Sequence, residues 1–318
     1  MILMSNINEN LDYIGTIEDI SEEKKEYMEL ELLLTEELYN ENQKKIEDLQ
    51  KKEEKNKNDI LLILLGLIKG VELTDDLLNV DKTTANKLIK NINKEIDKIC
   101  NNEIISEKSN INNILNEVID YSYDFNNYLM SEGNSDYKTT KLNNKIKKDI
   151  LNEKINKKTH EDRITDNKKN LFKNIKEDIN NFIMGIVTLD LLKRKINVNL
   201  DINKFNTDRL IIDQISRKIS QAKKQWSKDN NSEKKAWISI LCSTTCDTCK
   251  SLHGKIFDSS FNDFEPPLHI YCKCYWYYLP KEYTDLKGKD ISWENFLEYH
   301  NNEVLRLQRL KNLSSIGI

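Results

Sequence analysis

The chain has 318 residues, a formal net charge of −4 and a mean hydropathy of −0.67; that leaves room for one large core or two ordinary domains and argues against a strongly basic nucleic-acid binder. It contains only eight glycines and three prolines, and Pro266, Pro267 and Pro280 all lie in the last fifth. The first 265 residues therefore carry no proline to interrupt a helix, and most of the chain is expected to be helical.

Residues 1–132 read as an acidic helical N-terminal region. Fourteen acidic side chains stand against four lysines in the first 50 residues, the pattern of a solvated helix face or of a partner contact. The opening "MILMSNINENLDYIG" has neither a basic start nor a continuous apolar stretch, so no targeting segment is expected and the compartment reads as cytoplasmic. A long helix is predicted from Ser21, as N-cap, to about Lys55, with Met28, Leu32, Leu34, Leu38, Ile46 and Leu49 as its apolar set. The stretch "ILLILLGLI" from Ile60 to Ile68 has nine residues where a membrane span needs about twenty, so it predicts a buried core helix near Ile60 to Leu73 and no membrane partner. A further helix includes Cys100, read as a small core residue.

Residues 133–159 are polar and rich in Asn and Lys, which predicts a hinge or a loosely docked segment. Residues 160–235 predict a helical body. Ile164, Leu171, Ile175, Ile179, Phe182 and Ile186 fall on one helical stripe. A second helix is predicted to open at Thr207 as N-cap, with Leu210, Ile211, Ile215, Ile219, Ala222 and Trp226 facing inward and Arg217, Lys218 and Lys224 largely elsewhere; the two stripes are expected to pack together. Between Gln214 and Lys235 seven basic residues stand against two acidic ones, read as a solvated face or as weak, non-specific DNA contact through phosphates.

After "SKDNNSE" the pattern changes to short β-branched and aromatic runs, "AWISIL" at 236–241, "GKIFD" at 254–258 and "CYWYYL" at 274–279, bounded by turn residues. These predict a small sheet within a module spanning 236–280, followed by a helical tail over 281–318. The aromatic side chains of "CYWYYL" are either interface anchors or the module's own core. The expected fold class is mainly α, with long helices in an extended helical body, then a small α+β knuckle module and a C-terminal helix.

The module holds the chemistry. Cys246 and Cys249 form a Cys-x-x-Cys hook, and His269, Cys272 and Cys274 follow as His-x-x-Cys-x-Cys. Two thiolates at a tight turn can grasp one zinc ion, and in an extended segment Cys272 and Cys274 point to one face. A closed tetrahedral site needs four ligands, so the five candidates give Cys246, Cys249, Cys272 and either His269 or Cys274. A module of 45 residues buries too little apolar area to fold alone, and a structural zinc contributes about 10–16 kcal/mol of apparent binding free energy. Deaminase chemistry needs His-x-Glu ahead of Pro-Cys-x-x-Cys, and neither arrangement occurs; "HED" at His160 has the wrong spacing. Ser-His-Asp, Walker and glycine-rich phosphate motifs are also missing. His253 reads as a turn or packing residue and His300 as an exposed or half-buried helix residue. The cysteines thus point to a metal-held fold and no catalytic residue is nominated.

The order "KKAWISILCSTTCDTCKSLHGKIF" then "PPLHIYCKC" resembles the C-terminal signature of the phage head-morphogenesis family, the minor head proteins similar to the F protein of phage Mu. Lys273 stands where that pattern usually has Arg, and Ile212-Asp213-Gln214 stands where the preceding helix usually has Arg-Thr-Glu. The resemblance covers roughly residues 155–280. It implies a low-copy structural protein, not an enzyme, that binds the portal protein and other head proteins in the host cytoplasm during assembly and ends in the virion head. The alternatives in other classes are a zinc-dependent enzyme such as a nuclease, using the same cluster with an open coordination position, and a non-specific DNA-binding zinc protein.

Overall fold

The computed structural model describes residues 14, 20–67, 69, 73–242, 245–283, 286 and 289–315. Helices account for 68% of the chain, so it is mainly α, with a small strand-containing region around the cysteines and a helix after it. In chain order the described elements are α1 (Glu22–Leu67), β1 (Leu73–Thr74), β2 (Leu77–Leu78), α2 (Lys82–Gly133), α3 (Asn144–Leu151), α4 (His160–Ile183), α5 (Leu189–Asp229), β3 (Lys234–Ile238), α6 (Asp247–Leu252), β4 (Ile256–Asp258), β5 (Tyr275–Leu279) and α7 (Trp293–Ser315). Among the described residues no helix is long and apolar enough to cross a membrane.

Several helices are longer than the sequence suggests. α1 runs unbroken through the expected stop near Lys55 and ends at Leu67, and Leu73 belongs to a strand. Its apolar end is only half buried: Ile60 is covered while Leu62 and Leu65 are exposed, and Ile68 lies outside the described residues. α5 likewise passes straight through Thr207, which is a buried mid-helix residue and not an N-cap. Asn, Asp and Thr lower intrinsic helix propensity in this stretch, but the burial of Ile196 and Ile211 on either side overrides so weak a preference.

The chain packs as two compact units, and neither is a continuous segment. Unit 1 comprises Met1–Asn42, Leu115–Leu151 and Ile212–Ile318; unit 2 comprises Gln43–Ile114 and Asn152–Ile211. The divisions expected at 132/133, 159/160, 235/236 and 280/281 are therefore not where the units part, because α1, α2 and α5 each contribute to both. Composition marks changes along the chain, whereas the units are set by which helix faces meet.

Unit 2 is built around Ile92, Ile96, Cys100 and Ile104 of α2, Leu171, Ile175, Ile179 and Phe182 of α4, and Leu192 and Ile196 of α5. Cys100 is a core residue, as expected. The α4 stripe thus packs against the first half of α5, not the second; Ile186, at the end of the predicted stripe, is exposed beyond the helix. α4 starts with a capping box in which the Thr159 side chain accepts from the Asp162 N–H and Asp162 accepts from the Thr159 N–H. The Lys168 ammonium, buried in this unit, is paired with Glu107 at 2.6 Å.

Unit 1 contains the sheet, antiparallel in the order β4-β3-β5, with Trp237 opposite Trp276 and Ile238 opposite Tyr275. All five residues of β5 are buried, so the "CYWYYL" aromatics form the core of this unit and are not open anchors. Trp276 packs against Trp237, Phe257 and Phe264 on one face, and Tyr275 on the other face donates to Glu31 of α1 at 2.8 Å. The C-terminal helix is docked as well, with Phe296 in ring contact with Tyr121, Phe125 and Tyr128 of α2.

The segment read as a loose hinge is fastened over 133–151. Tyr137 donates to Asn230 at 3.0 Å, Asn127 donates to the Thr140 carbonyl at 2.8 Å, and Lys218 donates to the Ile150 carbonyl at 2.6 Å. Its polar composition supplies hydrogen bonds to buried helix residues rather than solvation. The unit boundary falls between Leu151 and Asn152.

A candidate metal centre

β3 delivers the chain to Ser239, and the hook follows. Cys246 is the N-cap of α6, with extended backbone (φ −71°, ψ 158°), and its sulfur accepts from the Cys249 N–H at 3.4 Å. One turn of helix therefore sets both sulfurs on the same side. Gly254 then turns the chain back at φ 76°, a conformation that favours glycine, and donates to the Trp237 carbonyl at 2.8 Å. That bond clamps the hook to β3.

The second half of the site arrives just before β5. Cys272 donates its N–H to the His269 carbonyl at 3.1 Å, closing a turn in which Tyr271 takes φ 63°. A tyrosine in that region is strained, and the turn is what brings His269 and Cys272 to one point.

All five nominated residues come together. Ligand atoms of Cys246, Cys249 and His269, and separately of Cys249, Cys272 and Cys274, lie within 4.8 Å of one another. Nε2 of His269 is 3.2 Å from the Cys246 sulfur and 3.4 Å from that of Cys249, and the Cys249 and Cys272 sulfurs are 3.8 Å apart. A tetrahedral zinc with Zn–S near 2.3 Å and Zn–N near 2.0–2.1 Å has edges of about 3.8 Å between sulfurs and about 3.5 Å between sulfur and nitrogen. The cluster has the dimensions to hold a metal ion.

Contact with Cys274, against the opposing effect of burial, holds Cys272 down at about 5 and lowers Cys249, whereas the same two neighbours and burial push Cys274 up. The ring of His269 is fixed by Nδ1 meeting the Ile270 carbonyl at 2.9 Å, a bond that also raises its pKa; Nε2 is the nitrogen that faces the sulfurs.

Ser239 was not legible as part of this site. Its hydroxyl accepts from Trp237 Nε1 at 2.9 Å and from the Cys274 thiol at 3.2 Å, and donates to the Cys249 carbonyl at 2.8 Å. Its N–H donates to Nδ1 of His253, a buried packing residue as expected, at 2.9 Å. Ser239 thereby joins β3 to both halves of the cluster. Cys242 belongs to neither metal-sized group and lies 3.4 Å from the Thr245 hydroxyl. Outside the module, His300 is half-buried and pairs with Asp124 at 2.8 Å, and His160 meets Asn112 at 2.6 Å.

Most of the basic residues between Gln214 and Lys235 are used internally. Lys218, Lys223 and Lys235 are buried, Lys223 paired with Glu31 and Lys235 lying 4.3 Å from the centroid of the Trp276 ring. Lys224 pairs with Glu265 at 2.6 Å and Arg217 with Asp213 at 2.9 Å. Lys218 was expected away from the inner face, and Glu31 belongs to the acidic run read as a solvated face or a partner contact; both are inside. Lys223 follows Ile219 by four residues and precedes Trp226 by three, so the helical stripe itself carried the signal.

No protein-family model, curated protein or solved structure matches the chain.

Proposed function

We propose that the chain is a minor head protein of a tailed bacteriophage, clipped together in its C-terminal module by one structural zinc ion and docking on the portal or the inner head surface during assembly. The observation that carries this reading is the convergence of two separated cysteine/histidine segments, the same segments that bear the head-morphogenesis resemblance, into one metal-sized cluster. Cys246, Cys249, His269 and Cys272 are the ligands in this reading, and Cys274 stands behind them as a hydrogen-bonding thiol. Three sulfurs and one imidazole nitrogen suit zinc, and a set that closes on itself leaves no position for substrate. That favours a structural ion over a nuclease or other zinc enzyme.

The partner in this reading is protein rather than DNA, a choice supported by the internal pairing of the basic stretch. The protein then works in the host cytoplasm during assembly and remains in the virion head. Co-expression with the portal protein of the same phage, with pull-down and a count of copies in purified heads, tests the role. Association with the portal and presence in precursor or mature heads is expected; absence from both, with no portal binding, overturns it.

A further inference from the structure

The first half of α5 is apolar on two faces. Leu192, Ile196 and Ile211 are buried in the core of unit 2 or beside it, yet Leu191, Val198, Ile202 and Phe205 on another face are 41%, 57%, 55% and 56% exposed. A helix that is apolar on both sides calls for a second cover. These four residues advance by seven, four and three positions, the spacing of a continuous seam along one helix face.

Charge decides what fits on that seam. Arg194 and Asp201 are exposed, lie on the same flank of it, and among the described residues have no hydrogen-bond or ion-pair partner. Val198 sits midway between Leu191 and Phe205, seven residues from each. A second copy of α5 running antiparallel about a two-fold axis beside Val198 sets Leu191 near Phe205 of the partner subunit, and does so twice. The same axis brings Arg194 opposite Asp201 of the partner subunit, again twice, because like flanks meet in an antiparallel pair. A parallel pairing joins opposite flanks instead and turns Arg194 toward the side that carries Lys195, which is already paired with Asp178 at 2.8 Å. The sequence around the seam is therefore self-complementary in one orientation only.

We propose that unit 2 self-associates through this seam as an antiparallel α5–α5 pair. A contact of four helical turns falls below the ~1,200 Å² typical of stable interfaces, so the pair is a weak, concentration-dependent dimer. The proposal is independent of the metal centre and of the head-protein reading.

Sedimentation of the full chain over a wide concentration range tests it, with circular dichroism as the check on folding, since every residue changed is exposed. The wild type is expected to move from monomer to dimer as concentration rises. Val198→Asp puts two carboxylates at the axis and should abolish the dimer. Arg194→Asp should weaken it by about tenfold or more, and Arg194→Asp combined with Asp201→Arg should restore it. A monomer at every concentration overturns the proposal and leaves the seam to a different kind of partner. Association that the double exchange does not restore overturns the antiparallel arrangement.

Discussion

The sulfurs of Cys249 and Cys272 lie 3.8 Å apart although 23 residues separate them in the chain. That is the edge length of a tetrahedron around zinc. Freshly reduced, unchelated protein is expected to contain about one zinc per chain by elemental analysis. Cys249→Ser should release it. The four tryptophans, Trp226, Trp237, Trp276 and Trp293, all lie in unit 1, so tryptophan emission should change on release while most of the far-ultraviolet helical signal stays. Metal-free protein from the wild type defeats the prediction.

Cys272 and Cys274 should behave differently although they are two residues apart. Cys272→Ser removes a ligand of the proposed set and should empty the site. Cys274→Ser keeps a donor near Ser239 and should retain the metal with affinity reduced by about 10–100-fold, the usual cost of losing a group that orients a ligand. Competition with a chromophoric chelator separates the two. Equal loss in both variants means that Cys274 binds the metal directly.

Legibility in the sequence followed the range of the forces involved. The strands at 236–241, 254–258 and 274–279 were readable within one to three residues because alternation and turn residues are local, as was the convergence of the cysteines, whose spacing suits the coordination of one ion. Helix ends at Lys55 and Thr207 were misplaced because local propensity is worth only tenths of a kcal/mol per residue and packing outweighs it. The two interleaved units could not be read, since nothing local tells one half of α5 that its stripe belongs with α4 and the other that it belongs to unit 1. Ser239 escaped for a similar reason: a serine after a strand carries no mark of the four groups it joins.

The capping box on α4 gives a test confined to unit 2. Thr159 accepts from the Asp162 N–H at 3.1 Å, and its hydroxyl donates back to Asp162 at 2.9 Å. Thr159→Ala should cost about 1 kcal/mol, read as reduced hydrogen-exchange protection in the first turn of α4. The N–H and hydroxyl of Thr159 hold the Asp162 carboxyl below its usual 3.8. A depressed folded pKa stabilises the fold above the unfolded value, and the contribution disappears as pH falls through the lower folded one. Protection at the start of α4 should thus fade below pH 3.8 in the wild type, and Asp162→Asn should remove that acid dependence. An unchanged pH profile in Asp162→Asn counts against the assignment.

The last test concerns the ion pair between Glu31 and Lys223, both fully buried in unit 1. Glu31 also accepts from Tyr275 at 2.8 Å and Thr35 at 3.2 Å, and the Lys223 ammonium lies 4.1 Å from the centroid of the Tyr275 ring. Burial pushes the pKa of Lys223 well below its usual 10.5, and the Glu31 carboxylate and the Tyr275 ring are the groups that face its ammonium. Lys223→Met leaves a buried carboxylate with neutral donors and no counter-charge, which should cost about 3–5 kcal/mol. Glu31→Gln with Lys223→Met removes both charges, keeps an acceptor for Tyr275, and should cost clearly less than the sum of the single changes. Denaturant unfolding followed by tryptophan emission reads unit 1 directly. Additive losses show that the two groups stabilise unit 1 separately, through their neutral hydrogen bonds and packing, and that their opposite charges contribute nothing jointly.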